Sequence, residues 1–212
     1  MISILICDDN QRIANSLADY LHLKTEHEIL PPVYSGEACL AYCKENQKPT
    51  ILILDVQMPK GMNGYDVAKH LQIYHPDIKI IVNTIFGDKR VMEGMIRYGV
   101  KAYTSKDYFS DEITHAIHAV IHNDYYFPRS FGLTEQDIIN IQNTPIEWLE
   151  SITPREMRLA QLLDDGLPLK EVAHQMNISE SVASKKRAAL FKKTGTEDCI
   201  SMLNKLKSLG ML

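Results

Sequence analysis

Apolar positions along the first 124 residues follow two alternating patterns. Short runs with few interruptions, Ile2-Ser3-Ile4-Leu5-Ile6-Cys7, Ile51-Leu52-Ile53-Leu54, Lys79-Ile80-Ile81-Val82-Asn83 and Ala102-Tyr103-Thr104-Ser105, have strand length. Nearly continuous apolarity is what a strand covered on both faces requires. Between them, apolar residues recur at helical spacing: Ile13, Leu17, Tyr20 and Leu21; then Tyr65, Ala68 and Leu71; then Val91, Met95 and Ile96, with a stop at Gly99. Ser35-Gly36-Glu37 opens a further helix through Tyr42, and Ser110 is the expected cap of a last one through His122, with Asp111 and Glu112 in its first turn. His27 to Tyr34 is extended but broken by Pro31-Pro32, which suits an edge strand. Repeated strand–helix units predict a parallel sheet with helices on both faces.

Beyond residue 124 the alternation stops. Tyr125-Tyr126-Phe127-Pro128 is aromatic and turn-like, and Thr134 to Asn143 is a short capped helix closed by Thr144-Pro145. This stretch lacks the Gly and Ser of a flexible linker, so it is expected to pack against a neighbouring domain. From Thr153 the pattern becomes that of short helices. Thr153-Pro154-Arg155-Glu156 combines a threonine cap, a first-turn proline and a glutamate at the third position, a capping box. That helix carries Leu159, Leu162 and Leu163 and stops near Gly166. Leu169 to Met176, a tight turn at Asn177-Ile178-Ser179, and Glu180 to Thr194 follow; Asp198 to Ser208 closes the chain with Ile200, Leu203 and Leu206. Two short helices across a tight turn, the second bearing Lys185-Lys186-Arg187 and Lys192-Lys193, read as a helix-turn-helix. The predicted organisation is therefore an α/β domain over 1–124, a partly helical linker over 125–150 and a small all-α domain over 151–212.

Charge sharpens this division. The 212 residues carry a net −4, yet 151–212 hold ten Lys or Arg against seven Asp or Glu, while 1–150 hold thirteen against twenty. Any nucleic-acid contact belongs to the second part. The start has a six-residue apolar run and then two acids, unlike a signal peptide, and no apolar stretch nears the roughly 20 residues that span a bilayer. A cytoplasmic protein without membrane attachment is expected. The four cysteines match that compartment: Cys7 lies in a strand, Cys39 and Cys43 are four apart on a helix, and no finger spacing links them to Cys199. They read as small core residues. His115, His118 and His122 form a helical stripe that could bind a transition metal, but a half-exposed face used for packing or docking is the preferred reading.

The chemistry lies at the strand ends. The first run ends in Asp8-Asp9, the second in Asp55 followed by Val56-Gln57-Met58-Pro59, the third in Thr84 and the fourth in Lys106. In open parallel sheets ligands bind at the carboxyl ends of the strands. Three carboxylates gathered there repel one another, and a hard divalent cation relieves the repulsion. Two carboxylates for Mg²⁺, an aspartate acceptor, a hydroxyl and an ammonium are the groups that phosphoryl transfer to a carboxylate requires.

Asp8, Asp9, Asp55, Met58, Pro59, Thr84, Tyr103 and Lys106, in this order over about 124 residues, resemble a response-regulator receiver domain. The resemblance implies a flavodoxin-like (βα)5 fold with Asp55 as phosphoacceptor. It further implies Mg²⁺ held by Asp8, Asp9, Asp55 and the backbone carbonyl of Gln57, assistance from Thr84 and Lys106, and a switch through Thr84 and Tyr103. Thr153-Pro154-Arg155-Glu156, Gly166, Lys170-Glu171-Val172-Ala173, Ile178-Ser179 and Gly195 resemble the LuxR-type helix-turn-helix of the NarL/FixJ response regulators. Ala183-Ser184-Lys185-Lys186 is closest to the capsule-synthesis-regulator branch. By this resemblance the chain is a transcription regulator rather than an enzyme. A sensor histidine kinase and double-stranded promoter DNA are the implied partners, with homodimerisation on activation. Ser181, Ser184, Lys185, Lys186, Arg187, Lys192 and Lys193 are the expected DNA contacts. Two features depart from the family: four residues, Lys60-Gly61-Met62-Asn63, precede Gly64 where three are usual, and the bulky Ile85 follows Thr84. Ile85 is expected to narrow the approach to Asp55. These departures motivate an alternative, a phosphorylation-independent regulator or heterodimer partner with a vestigial receiver. An aspartate-nucleophile phosphohydrolase fits less well, because Gln57 stands where a second acid belongs and the helix-turn-helix has no role.

Overall fold

A computed structural model describes residues 2–45, 48–58, 61–106 and 112–212. It divides into two compact units, Met1–Thr144 and Pro145–Gly210. The first contains β1 (Ser3–Cys7), α1 (Gln11–Lys24), β2 (Glu28–Ile29), α2 (Gly36–Glu45), β3 (Ile51–Leu54), α3 (Gly64–Tyr74), β4 (Lys79–Thr84), α4 (Lys89–Arg97), β5 (Ala102–Ser105), α5 (Glu112–Ile121) and α6 (Glu135–Asn143). All neighbouring strands are parallel, in the order β2-β1-β3-β4-β5. This is the flavodoxin-like α/β order expected from the sequence.

The uninterrupted apolar runs are explained by the pleat. Ile4, Ile6, Ile51, Ile53 and Ile81 point to one face, where Ala14, Leu17, Ala18 and Leu21 of α1 and Ile113, Ala116, Ile117 and Val120 of α5 close over them. Alternate residues Leu5, Cys7, Leu52, Leu54, Ile80 and Val82 are equally buried and face the other side. Each such isoleucine or leucine contributes about 1.5–3 kcal/mol through burial. The α1 face is rotated from the expected one: Ala14 and Ala18 are buried, while Ile13 and Tyr20 are half-exposed.

The edge strand is shorter than the extended segment 27–34, because Pro31-Pro32 cannot continue the ladder; pairing resumes only as a bridge from Val33 to Cys7. The expected cap of α5 at Ser110, with Asp111, lies outside the described residues. Tyr126 is not in a turn. It pairs with β5 through Tyr103 N to Tyr126 O at 2.8 Å and Tyr126 N to Lys101 O at 3.1 Å, which covers the open edge of the sheet. Helix α6, capped by Thr134, packs on α4, where Arg97 donates to the Gln142 carbonyl at 2.6 Å.

The second unit contains α7 (Glu147–Glu150), α8 (Pro154–Asp164), α9 (Leu169–Gln175), α10 (Glu180–Thr194) and α11 (Cys199–Ser208). Helix α10 packs on the other three longer helices around Leu159, Leu162, Val172, Ala173, Ala183, Leu190, Met202 and Leu206. The short α7 has no signal in the sequence, since four residues show no period. Ile200 is 72% exposed, and Met202 takes the core position instead. Among the described residues no helix is long and apolar enough to cross a membrane.

Candidate functional site

The parallel register brings the ends of β1 and β3 together, with Asp55 N donating to Cys7 O at 2.9 Å. Asp8, Asp9 and Asp55 then present carboxylate oxygens all within 4.8 Å of one another. Asp8 and Asp55 are buried, whereas Asp9 is exposed. The ammonium of Lys106, delivered by β5, lies 2.7 Å from Asp8 Oδ2 and 2.7 Å from Asp55 Oδ2. The second Asp55 oxygen accepts from Val56 N at 2.7 Å, and Asp8 Oδ1 accepts from Asn10 N at 3.0 Å, just before α1.

The electrostatics are unbalanced. Burial pushes the Asp55 carboxyl above its ordinary range, and the charge of Lys106 only partly offsets this. Burial also raises Asp9, helped by the negative charge of Asp8. For Lys106, burial alone would lower the ammonium, but Asp55 and Asp8 outweigh it and hold the group above its usual value. Three carboxylates around one cation leave negative charge in excess. Such an oxygen-donor set suits a hard divalent cation.

Thr84, at the end of β4, is fully buried, and its hydroxyl has no hydrogen-bond partner among the described residues. A buried hydroxyl without a full hydrogen bond costs roughly 1–3 kcal/mol. Tyr103 is already turned inward, 2% exposed, with its hydroxyl donating to the Phe86 carbonyl at 2.7 Å. Ile85 is 59% exposed and stands out into solvent beside Thr84.

The longer loop is accommodated away from the acids. A Cβ on Gly64 would overlap the Asp55 carbonyl oxygen and come within 2.7 Å of Val56 Cα, so glycine lets α3 start directly against the end of β3. Gly64 N also donates to Val56 O at 2.8 Å. Gly61, at φ +93°, turns the loop where a side chain would strike the Glu37 carboxylate, and Glu37 accepts from Met62 N at 2.9 Å. Pro59 and Lys60 lie outside the described residues. Met58 is buried, with its sulfur 3.6 Å from Cys7 Sγ, and Gln57 is half-buried two residues past Asp55.

In the second unit, Ser179 caps α10 and the backbone turns through Asn177 at φ +51°. Ser181, Lys185, Ala188 and Lys192 are exposed along one face of α10; Ser184, Lys186 and Arg187 are half-exposed beside it. Lys193 differs from the expectation of a DNA contact. Its ammonium lies 2.7 and 2.8 Å from the two Glu156 carboxylate oxygens and donates to Ser151 O at 2.7 Å. Glu156 in turn completes the capping box with Thr153. Lys193 is thus committed inside the unit, because the i+3 glutamate of the box reaches the end of α10. Two cations that the sequence reading passed over lie close to the basic helix. Arg155 and Arg158 of α8 share with Lys186 a concavity of about 280 Å³, floored by Pro154, Met176 and Ile178. Their i,i+3 spacing on a capped helix was the available signal.

A buried aspartate at a parallel strand end, with a second acid pair, a hydroxyl and a lysine around it, is the arrangement of a receiver-type α/β domain. The response regulator receiver domain model matches residues 4–118, and the chain belongs to that family. It is 28% identical over 211 residues to the transcriptional regulatory protein DesR of Bacillus subtilis, covering 99% of this chain and 98% of DesR. It is 23% identical to the oxygen regulatory protein NreC of Staphylococcus carnosus over 84% of each chain. Among solved structures it is similar to RcsB of Salmonella enterica serovar Typhimurium bound to promoter P1flhDC with the phosphomimetic BeF3⁻. That similarity has a TM-score of 0.63 and 20% identity, and covers 98% of each chain.

Proposed function

We propose that this chain is a two-component response regulator in which phosphorylation of Asp55 controls DNA binding by the second unit. The observation that carries this reading is the convergence at one buried mouth of Asp55, two further acids, the Lys106 ammonium and the unpartnered Thr84 hydroxyl. A carboxylate oxygen of Asp55 attacks the phosphorus of a phosphohistidine on a sensor histidine kinase. The P–N bond breaks, and the imidazole leaves with its electron pair. Asp8, Asp9, Asp55 and the carbonyl of Gln57 would hold Mg²⁺, which when bound supplies positive charge to the phosphoryl oxygens. Lys106 then moves from the carboxylate to a phosphoryl oxygen, and Thr84 gains the acceptor it lacks. Tyr103 is already buried, with its hydroxyl on the Phe86 carbonyl. The change at the ends of β4 and β5 favours homodimers, which engage two half-sites of a promoter.

On DNA, Ser181, Ser184, Lys185, Lys186 and Arg187 face the major groove, and Lys192, Arg155 and Arg158 neutralise phosphates. DesR and NreC carry regulatory names, and the RcsB structure is a promoter complex, which supports this assignment for a cytoplasmic regulator without catalytic turnover of its own. The alternative of a vestigial receiver draws on Ile85 and the longer loop. An exposed Ile85 and a loop that absorbs its extra residue at Gly61 both support the phosphorylated reading instead. Labelling with acetyl phosphate tests it. Wild type takes up one phosphoryl group only with Mg²⁺, and Asp55→Asn takes up none. Undiminished labelling of Asp55→Asn would move the chemistry elsewhere.

A further inference from the structure

Helix α5 buries Ile113, Ala116, Ile117 and Val120 and turns His115 and His118 outward, and His122 follows in the turn just past its last residue; all three are exposed. His118 and His122 stand one turn apart, their ring centres separated by 4.3 Å and tilted by 38°. The His122 ring is oriented by the backbone, with Nδ1 2.8 Å from the His118 carbonyl oxygen. A carbonyl oxygen can only accept, so Nδ1 carries the proton and the lone pair of the neutral ring lies on Nε2. The His118 ring has no hydrogen-bond partner among the described residues. The end of the helix that carries His122 is anchored: Lys79 Nζ donates to Val120 O at 3.0 Å and to Asn123 Oδ1 at 2.8 Å.

We propose that His118 and His122 form a chelating site for a divalent transition-metal ion of the zinc, nickel or copper class on the open face of α5. Imidazoles four apart on one helix face are a recurrent metal-binding pair, and imidazole nitrogen suits these ions better than Mg²⁺. Donation of the second ring nitrogen to a backbone carbonyl is the usual support of a metal-bound histidine. An ion about 2.1 Å from each nitrogen at tetrahedral angles would place the ring centres roughly 5 Å apart. The observed centres are 4.3 Å apart, and both side chains are exposed and so able to rotate. The donors are unlike the oxygen set of Asp8, Asp9 and Asp55, so the two sites take different ions. Two protein ligands leave open positions for water, for His115 one turn earlier, or for the same pair on a second copy.

Calorimetric titration of the full chain with Zn²⁺ and with Ni²⁺, in excess Mg²⁺ to satisfy the acidic cluster, tests the proposal. One saturable event is expected, weakened at least about tenfold in both His118→Ala and His122→Ala. One ion per chain at unchanged mass, or one per two chains at doubled mass, each supports the site. Cu²⁺ should show hyperfine coupling to imidazole nitrogen in wild type and lose it in His118→Gln/His122→Gln. Absence of saturable binding, or binding undiminished in both alanine variants, overturns the proposal.

Discussion

Replacing Lys193 by methionine keeps an unbranched side chain at the end of α10 but deletes the ammonium. Glu156, 6% exposed, then loses two charge-assisted contacts of 2.7 and 2.8 Å, and the Ser151 carbonyl loses a third. Charge-assisted hydrogen bonds contribute roughly 1.5–3 kcal/mol each when one partner alone is removed. The lysine side chain is 26% exposed, so water takes over part of the loss, and the capping bonds from Thr153 to Glu156 remain. A net loss of about 1–2 kcal/mol follows, or roughly 5–15 °C in the unfolding of a unit of this size. Trp148, the single tryptophan, lies in α7 of the same unit, so its fluorescence reports that transition in the full chain. Lys192, one residue earlier and exposed, supplies the control. Lys192→Ala should leave unfolding within about 0.5 kcal/mol and reduce the salt dependence of DNA binding by about one unit. Lys193→Met should do the reverse. If Lys193→Met leaves the Trp148 transition in place and lowers the salt slope, the residue contacts phosphate and the assignment made from its ion pair is wrong.

The same ion pair sets an acid limit. Burial opposes the Glu156 charge, but hydrogen bonds from Lys193 and Thr153 outweigh it and hold the carboxyl below its ordinary 4.5. The stability this contributes is present above 4.5 and lost as pH falls through the depressed value, so the Trp148 transition should weaken in that window, and weaken less in Lys193→Met. Gly64→Ala should destabilise the first unit and impair Mg²⁺-dependent labelling together, since the added methyl meets the Asp55 carbonyl; normal labelling would show that α3 can retreat. Ile85→Ala should accelerate labelling and loss of label by tenfold at most, about 1 kcal/mol, and the 59% exposure of Ile85 argues for the low end of that range. Arg155→Ala and Arg158→Ala should weaken DNA binding equally for cognate and scrambled sites, whereas Lys185→Ala should relax discrimination at one base pair by about 1–3 kcal/mol; equal losses for both sites in Lys185→Ala would make it another phosphate contact.

Strand ends were legible because a parallel sheet converts order along the chain into position in space. Four apolar runs, each ending in a chemical group, could register in few other ways, and Asp8, Asp55, Thr84 and Lys106 fall where the runs placed them. Caps were legible for a similar reason, since Thr153 and Glu156 act within one turn. Contacts between distant segments were not. Nothing local marks Tyr126 as a partner of β5, because the signal is the unpaired backbone of β5 rather than any side chain of 125–128. Nor does a run of basic residues reveal which cation is already taken. Lys192 and Lys193 are indistinguishable in sequence, and about 100° of helical rotation sends one to solvent and the other to Glu156.

That difference bears on how a buried ion pair should be read. Each unit has a buried carboxylate paired with a lysine at 2.7 Å, Asp55 with Lys106 and Glu156 with Lys193. Yet Asp55 is pushed up and Glu156 is held down. The distances are equal; burial is what pushes Asp55 up, with Asp8 adding to it, whereas at Glu156 hydrogen bonds from Lys193 and Thr153 outweigh burial. Glu156 accepts from the backbone and hydroxyl of Thr153. Asp55 shares its lysine with Asp8 and lies close to Asp9. One pair is satisfied, and its removal should cost stability. The other is crowded with like charge, a state that an added divalent cation relieves. A carboxylate held in that condition inside a folded core is what the phosphorylation proposal requires of Asp55, and the acetyl phosphate labelling of wild type and Asp55→Asn tests it.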